Sequence, residues 1–251
     1  MNYNKINYLW RVKVERILDV ILGPLMFQYK RRDNMFYWFY NSLVYQHITW
    51  PQLCPKYNYY EFGVASGGSM EIYVLALKEF CRKYKQDISK FHIYAFDSFE
   101  GLPPEEGEAD KSVLWGEGQM VNHENLVLAK IARHDFPSEN FHMIKGFFDK
   151  TLTAELRSFI SSNIPAIVNI DCDYYSSTRL VLEWLEPMLA SGTIFRFDDI
   201  WAYHGNPNYG EIKAIKELNA KGIGHLAEFP LNGLISYAYI YSRNNFEHKE
   251  V

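Results

Sequence analysis

The sequence predicts an α/β fold built on a doubly wound, mostly parallel sheet, and three observations carry that reading. From Tyr59 onward short apolar runs alternate with helix-length amphipathic stretches. Two of the runs, Ala166–Ile170 and Thr193–Phe197, flank a helical stretch with apolar residues at Leu180, Leu182, Leu185 and Leu189, which makes the two strands parallel neighbours. Acids follow both runs, Asp171 the first and Asp198-Asp199 the second, at the edge where open α/β sheets bind ligands.

The elements follow in order. Residues 1–57 read as helical, with Pro24, Pro51 and Pro55 as punctuation. Strands are predicted at Tyr59–Phe62, His92–Phe96, Phe141–Ile144, Ala166–Ile170 and Thr193–Phe197. Helices are predicted at Met70–Tyr84, about Glu124–His134, Thr151–Ser162, Thr178–Leu189 and Glu211–Lys221. The tail differs: His225–Phe229, a Pro230-Leu231-Asn232-Gly233 turn and Leu234–Ser242 form a hairpin signal. Seven strands with an antiparallel last one fit the methyltransferase variant of the Rossmann-like fold. Residues 1–57 then form an N-terminal lid or dimerisation segment, and residues 58–251 the ligand-binding domain.

Composition narrows the function classes. An apolar fraction of 48% is that of a globular chain, and a net charge of −4 without a long basic run leaves nucleic acid no electrostatic footprint. Lys30-Arg31-Arg32 is too short to supply one. Cys54, Cys81 and Cys172 are odd in number and lack metal-ligand spacing, which suits free thiols in a reducing, cytoplasmic compartment. No stretch reaches the ~18 apolar residues of a spanning helix. The run from Ile17 to Phe27 is broken by Asp19, Gly23 and Pro24 and lacks the form of a signal peptide. The aromatic stretch Met35–Tyr40 suits a homo-oligomer contact or an active-site lid better than a membrane surface.

Three carboxylates at one sheet edge repel one another unless a cation or proton intervenes, and Mg²⁺ is the natural occupant of an all-oxygen site. Asp171, Asp198 and Asp199 are the candidate ligands. Upstream, Glu61-Phe62-Gly63-Val64-Ala65-Ser66-Gly67-Gly68-Ser69 joins the first strand to the first helix of the sheet. Gly63, Ala65 and Gly67 let backbone approach a ligand, and Ser69 opens a helix whose N–H groups are free. Glu61 is placed for the amino end of an amino-acid-like ligand, where a pyrophosphate would be repelled. Asp97 ends the second strand and can accept from both ribose hydroxyls, with Ser98 and Phe99 beside the nucleoside. These features favour S-adenosylmethionine over a dinucleotide.

In these motifs the chain resembles the macrocin O-methyltransferase family. The resemblance runs from about Tyr59 to Tyr241 and rests on EFGVASGGS, AFDSFEGLP, IKGFFDKTL and DCDYYSSTRLVLEWLEPML followed by DDI. It implies class I, S-adenosylmethionine-dependent methylation of a hydroxyl on a sugar or natural-product glycoside. It also implies Mg²⁺ at Asp171, Asp198 and Asp199. Gly192-Thr193 stands where the family has two glycines, and Arg196 is unusual in a central strand. Arg196 is read as the partner of a carboxylate or of an anionic substrate group, or as a strand residue whose head snorkels.

For the proton of the acceptor hydroxyl there are two candidate bases, Asp173 in the D-x-D and His204 in the loop after Asp199. Three other readings compete. A metal-dependent glycosyltransferase would use Asp171-Cys172-Asp173, but leaves the glycines and Asp97 unexplained. An NAD-dependent oxidoreductase would need no metal acids. A non-catalytic binding module would keep the pocket without turnover.

Overall fold

The protein is described by a computed structural model over residues 34–49, 58–231 and 237–244 of its 251. Its strands are β1 (Asn58–Phe62), β2 (Ile93–Asp97), β3 (Phe141–Lys145), β4 (Pro165–Ile170), β5 (Ile194–Phe197), β6 (Gly224–Glu228) and β7 (Tyr237–Arg243). Its helices are α1 (residues 34–49), α2 (Gly68–Tyr84), α3 (Glu124–Ala132), α4 (Phe148–Thr151), α5 (Ala154–Ile160), α6 (Tyr175–Leu185) and α7 (Gly210–Ala220).

The strands form one sheet in the order β3-β2-β1-β4-β5-β7-β6. Neighbours from β3 through β5 are parallel, whereas β7 runs antiparallel to both β5 and β6. The expected mostly parallel sheet with an antiparallel last strand is therefore present.

Side chains alternate across each strand, so Tyr59 packs into one layer and Tyr60 and Phe62 into the other. The first layer holds α1, α2 and α3, and α2 presents Met70, Tyr73, Val74, Leu77, Phe80 and Cys81 to it at helical spacing. Each such side chain stabilises the fold by about 1.5–3 kcal/mol relative to exposure. The second layer holds α5, α6 and α7, with Val181, Leu182, Leu185, Ala214 and Leu218 against Phe96, Val168 and Phe195.

In α1, Phe39 meets Tyr59 and Tyr73 edge-on, with ring centroids 5.4 and 5.3 Å apart. Gln46 donates from Nε2 to the carbonyls of Ala166 (2.6 Å) and Gly192 (3.2 Å), at the amino ends of β4 and β5. Across the boundary expected near residue 57, α1 thus shares a core with β1 and α2. Of residues 1–57, expected as a lid or dimer contact, 1–33 and 50–57 lie outside the described residues, as do two of the four residues of the turn expected at 230–233. In the aromatic stretch Met35–Tyr40 the side chains of Trp38 and Phe39 are buried in this core.

Two helices differ from expectation for local reasons. The helix predicted over Thr151–Ser162 is shorter, α5 at Ala154–Ile160, because the separate turn α4 ends at Thr151 and the Thr153 hydroxyl accepts from the Leu156 N–H (3.1 Å) to start a new helix. Helix α6 starts at Tyr175 rather than Thr178, with the Ser176 N–H taken by Asp110 Oδ1 at 2.8 Å. That cap comes from a loop 66 residues earlier, which no local pattern reveals.

Candidate active site

The winding reverses between β1 and β4, and open α/β folds bind ligands at such a crevice. A cavity of about 410 Å³ lies there, lined by Gly63, Ala65, Asp97, Ser98, Asp171 and Asp173 together with Leu102, Phe147 and Ser177. This volume is within the range of small-molecule sites.

The glycine loop is clamped from two sides. Asp97 accepts the N–H groups of Val64 (2.7 Å) and Ala65 (2.8 Å) on Oδ2 and that of Phe99 (2.6 Å) on Oδ1. It lines the cavity as expected, and Oδ1 retains capacity for a further donor such as a ribose hydroxyl. On the other side Gly63, at φ +85°, lies so close to Asp171 that an added Cβ would sit 1.7 Å from its carbonyl oxygen. The glycine loop and Asp171 are therefore in backbone contact.

Four predicted cofactor residues stand behind the loop and not on the cavity wall. Glu61 points into the first layer, because it alternates with Phe62, and accepts from the hydroxyls of Tyr59 (2.6 Å) and Ser69. Gly67, at φ +75°, is the N-cap of α2 and packs against Val127. Phe99 is buried in the first-layer core. Ser98 does line the cavity, and it holds its loop by donating to the Gly101 carbonyl (3.0 Å) and accepting from the Glu100 N–H (3.1 Å).

Burial pushes the Glu61 carboxyl up to about 7 from its ordinary 4.5, against the opposing pull of its donors Ser69 and Tyr59. A group whose folded value is raised stabilises the protein fully below about 4.5, and that contribution is lost as the pH rises through about 7. The span corresponds to roughly 3 kcal/mol as an upper limit. Thermal melts between about pH 5 and 8 are expected to show a shallower loss of stability with rising pH in Glu61→Gln than in the parent protein. Parallel profiles would show that Glu61 does not take up a proton on folding.

The three acids read as candidate metal ligands converge. Asp171, Asp198 and Asp199 bring carboxylate oxygens within 4.8 Å of one another. Burial, then the charges of Asp198 and Asp199, hold the Asp171 carboxyl well above its usual range. Asp173 lines the cavity beside them and is pushed up to about 7 by burial, then by Asp171 and Asp198. Its φ of +62° is rare for a residue with a side chain and marks a held, strained turn. His204 is exposed and does not line the cavity, so of the two candidate bases only Asp173 is brought to it.

Three further residues belong to this centre and went unread in the sequence. Glu211, buried in the first turn of α7, accepts the Asp199 N–H on Oε2 (3.1 Å), and its Oε1 meets no described donor. Burial and then the four neighbouring aspartates raise its carboxyl strongly. Asn169 lies between Glu61 and Arg196 in the register, and Asp110 joins the loop over the cavity to α6. An acid in a first helical turn is ordinary, so nothing in the sequence set Glu211 apart. A self-repelling, all-oxygen donor set with an orphaned buried oxygen beside it fits a hard divalent cation.

The comparisons with known proteins agree with this geometry. The profile of the family described as Macrocin-O-methyltransferase (TylF) matches residues 56–220. The solved structure of CalS11, a calicheamicin methyltransferase, is similar at a TM-score of 0.64 and 22% identity, covering 92% of this chain and 86% of that one. The O-methyltransferase NovP is similar at a TM-score of 0.61 and 19% identity, covering 85% of this chain and 80% of that one. No curated protein matches the sequence. At such identities the two structures bear on the fold, and the profile match bears on the family. The chain, with a Rossmann-like class I methyltransferase fold, belongs to the macrocin O-methyltransferase family.

Proposed function

We propose that the protein transfers the methyl group of S-adenosylmethionine to a hydroxyl of a sugar or glycosylated natural product, with Mg²⁺ held by Asp171, Asp198 and Asp199. The observation that carries this reading is the junction at Asp171, which belongs to the acid cluster, lines the cavity and touches Gly63 of the cofactor loop. Cofactor and metal would thereby share one wall, as an in-line transfer to a metal-held hydroxyl requires.

Each group on this wall has a definable task. Gly63 and Ala65 would present backbone to the cofactor, while Asp97 keeps their loop in place and would accept from its ribose. When bound, Mg²⁺ would supply Lewis acidity that lowers the pKa of the acceptor hydroxyl, and S-adenosylmethionine would supply the methyl group with its own leaving group. Asp173, which lines the cavity beside Asp171, is placed to accept the hydroxyl proton. Proximity and alignment supply much of the remaining rate. No described helix is long and apolar enough to cross a membrane. The free, buried thiols of Cys81 and Cys172 support a reducing, cytoplasmic setting.

Calorimetric titration with S-adenosylhomocysteine, followed by Mg²⁺, tests the reading. Micromolar binding of the first and a separate heat for the second are expected. Absence of S-adenosylhomocysteine binding would overturn it, and stabilisation by a nucleotide sugar in its place would favour the glycosyltransferase.

A further inference from the structure

Arg196 occupies the middle of β5 and is almost completely enclosed, 2% exposed. A guanidinium in a central strand is costly unless its donors are met by well-placed acceptors. Here Nη1 donates to Asn169 Oδ1 at 2.6 Å, and Nη2 donates to Asp198 Oδ1 in a close ion pair. The register aligns Glu61 on β1 with Asn169 on β4 and Arg196 on β5. A polar row therefore crosses the sheet from the support of the cofactor loop to the metal acids.

We infer that Arg196 is a positioning residue of the metal site: its two-pronged contact with Asn169 and Asp198 sets the orientation of the Asp198 carboxylate within the acid cluster. The guanidinium does not line the cavity, so it acts through Asp198 and not on substrate. Its planar fork is what distinguishes this role from simple charge compensation, because a lysine in its place offers a point charge that cannot hold two acceptors in one plane. Asn169 anchors the other prong and keeps the fork from rotating. This inference rests on the proposed metal site.

The test is calorimetric titration of Mg²⁺ and, separately, of S-adenosylhomocysteine into the full-length parent, Arg196→Lys and Asn169→Leu. Supports of metal ligands commonly contribute about 10–100-fold in affinity. Arg196→Lys is expected to weaken Mg²⁺ about tenfold and Asn169→Leu by a smaller factor, with S-adenosylhomocysteine affinity unchanged within about twofold. Circular dichroism reports folding, and if Arg196→Lys does not fold, Asn169→Leu decides. Equal or tighter Mg²⁺ binding in the folded variants overturns the inference while leaving the metal site standing. A parent protein that binds S-adenosylhomocysteine but no Mg²⁺ overturns both.

Discussion

Asp198→Asn is expected to lower turnover by about a hundredfold or more while S-adenosylhomocysteine affinity stays within a few-fold. The reason lies in the two sides of this carboxylate. One oxygen is bound to Arg196, and the carboxylate also belongs to the acid cluster. An asparagine must turn its carbonyl toward the guanidinium, because two sets of N–H donors cannot face each other. An amide nitrogen then replaces the other oxygen, so the acid cluster loses a negative charge and gains N–H donors that a cation repels. Asp198 does not line the cavity, which is why cofactor affinity should survive. The measurements are methyl transfer to an acceptor used by the parent, and the heats of Mg²⁺ and S-adenosylhomocysteine binding. A fully active variant would remove the metal assignment.

Gly63→Ala should damage cofactor binding and stability together. The added Cβ would lie 1.7 Å from the Asp171 carbonyl oxygen and 2.6 Å from its carbon, both backbone atoms that cannot swing aside. The left-handed φ of +85° adds a conformational cost of about 1–2 kcal/mol. Forcing apart two packed segments adds about 1–3 kcal/mol more. A loss of about 3 kcal/mol lowers Tm by roughly 6–12 °C in a chain of this size. Separation of the loop from Asp171 should also weaken S-adenosylhomocysteine by at least about tenfold, as expected for loss of about 1.4 kcal/mol of contact. Gly68→Ala is the control. It has no positive φ, an added Cβ meets nothing within 4 Å, and its stability should stay within about 0.5 kcal/mol of the parent. Wild-type melting and affinity in Gly63→Ala would contradict the close junction of the two loops.

Parts of this centre were legible because they depend on short-range pattern. Asp97, Asp171, Asp198 and Asp199 all follow or end apolar runs, and parallel strands deliver their carboxyl ends to one edge. The side of the sheet on which a residue acts was harder to see. Glu61 stood next to the glycines and read as a cofactor contact, yet strand alternation turns it beneath α2 to hold Ser69 and Tyr59. His204 carried the right chemistry in a loop after the metal acids, and the loop leaves it exposed. Arg196 read as an anomaly until the register set it between Asn169 and Asp198.

The sequence by itself determined the alternation of strands and helices, the acids at the strand ends and the glycine loop, because periodicity and termini are properties of neighbouring residues. Only the tertiary structure decided that Asp110 caps α6, that Glu211 supports Asp199 and that Gly63 rests on Asp171. Those contacts join segments far apart in the chain, and sheet order, register and loop packing fix their partners only when the whole fold closes.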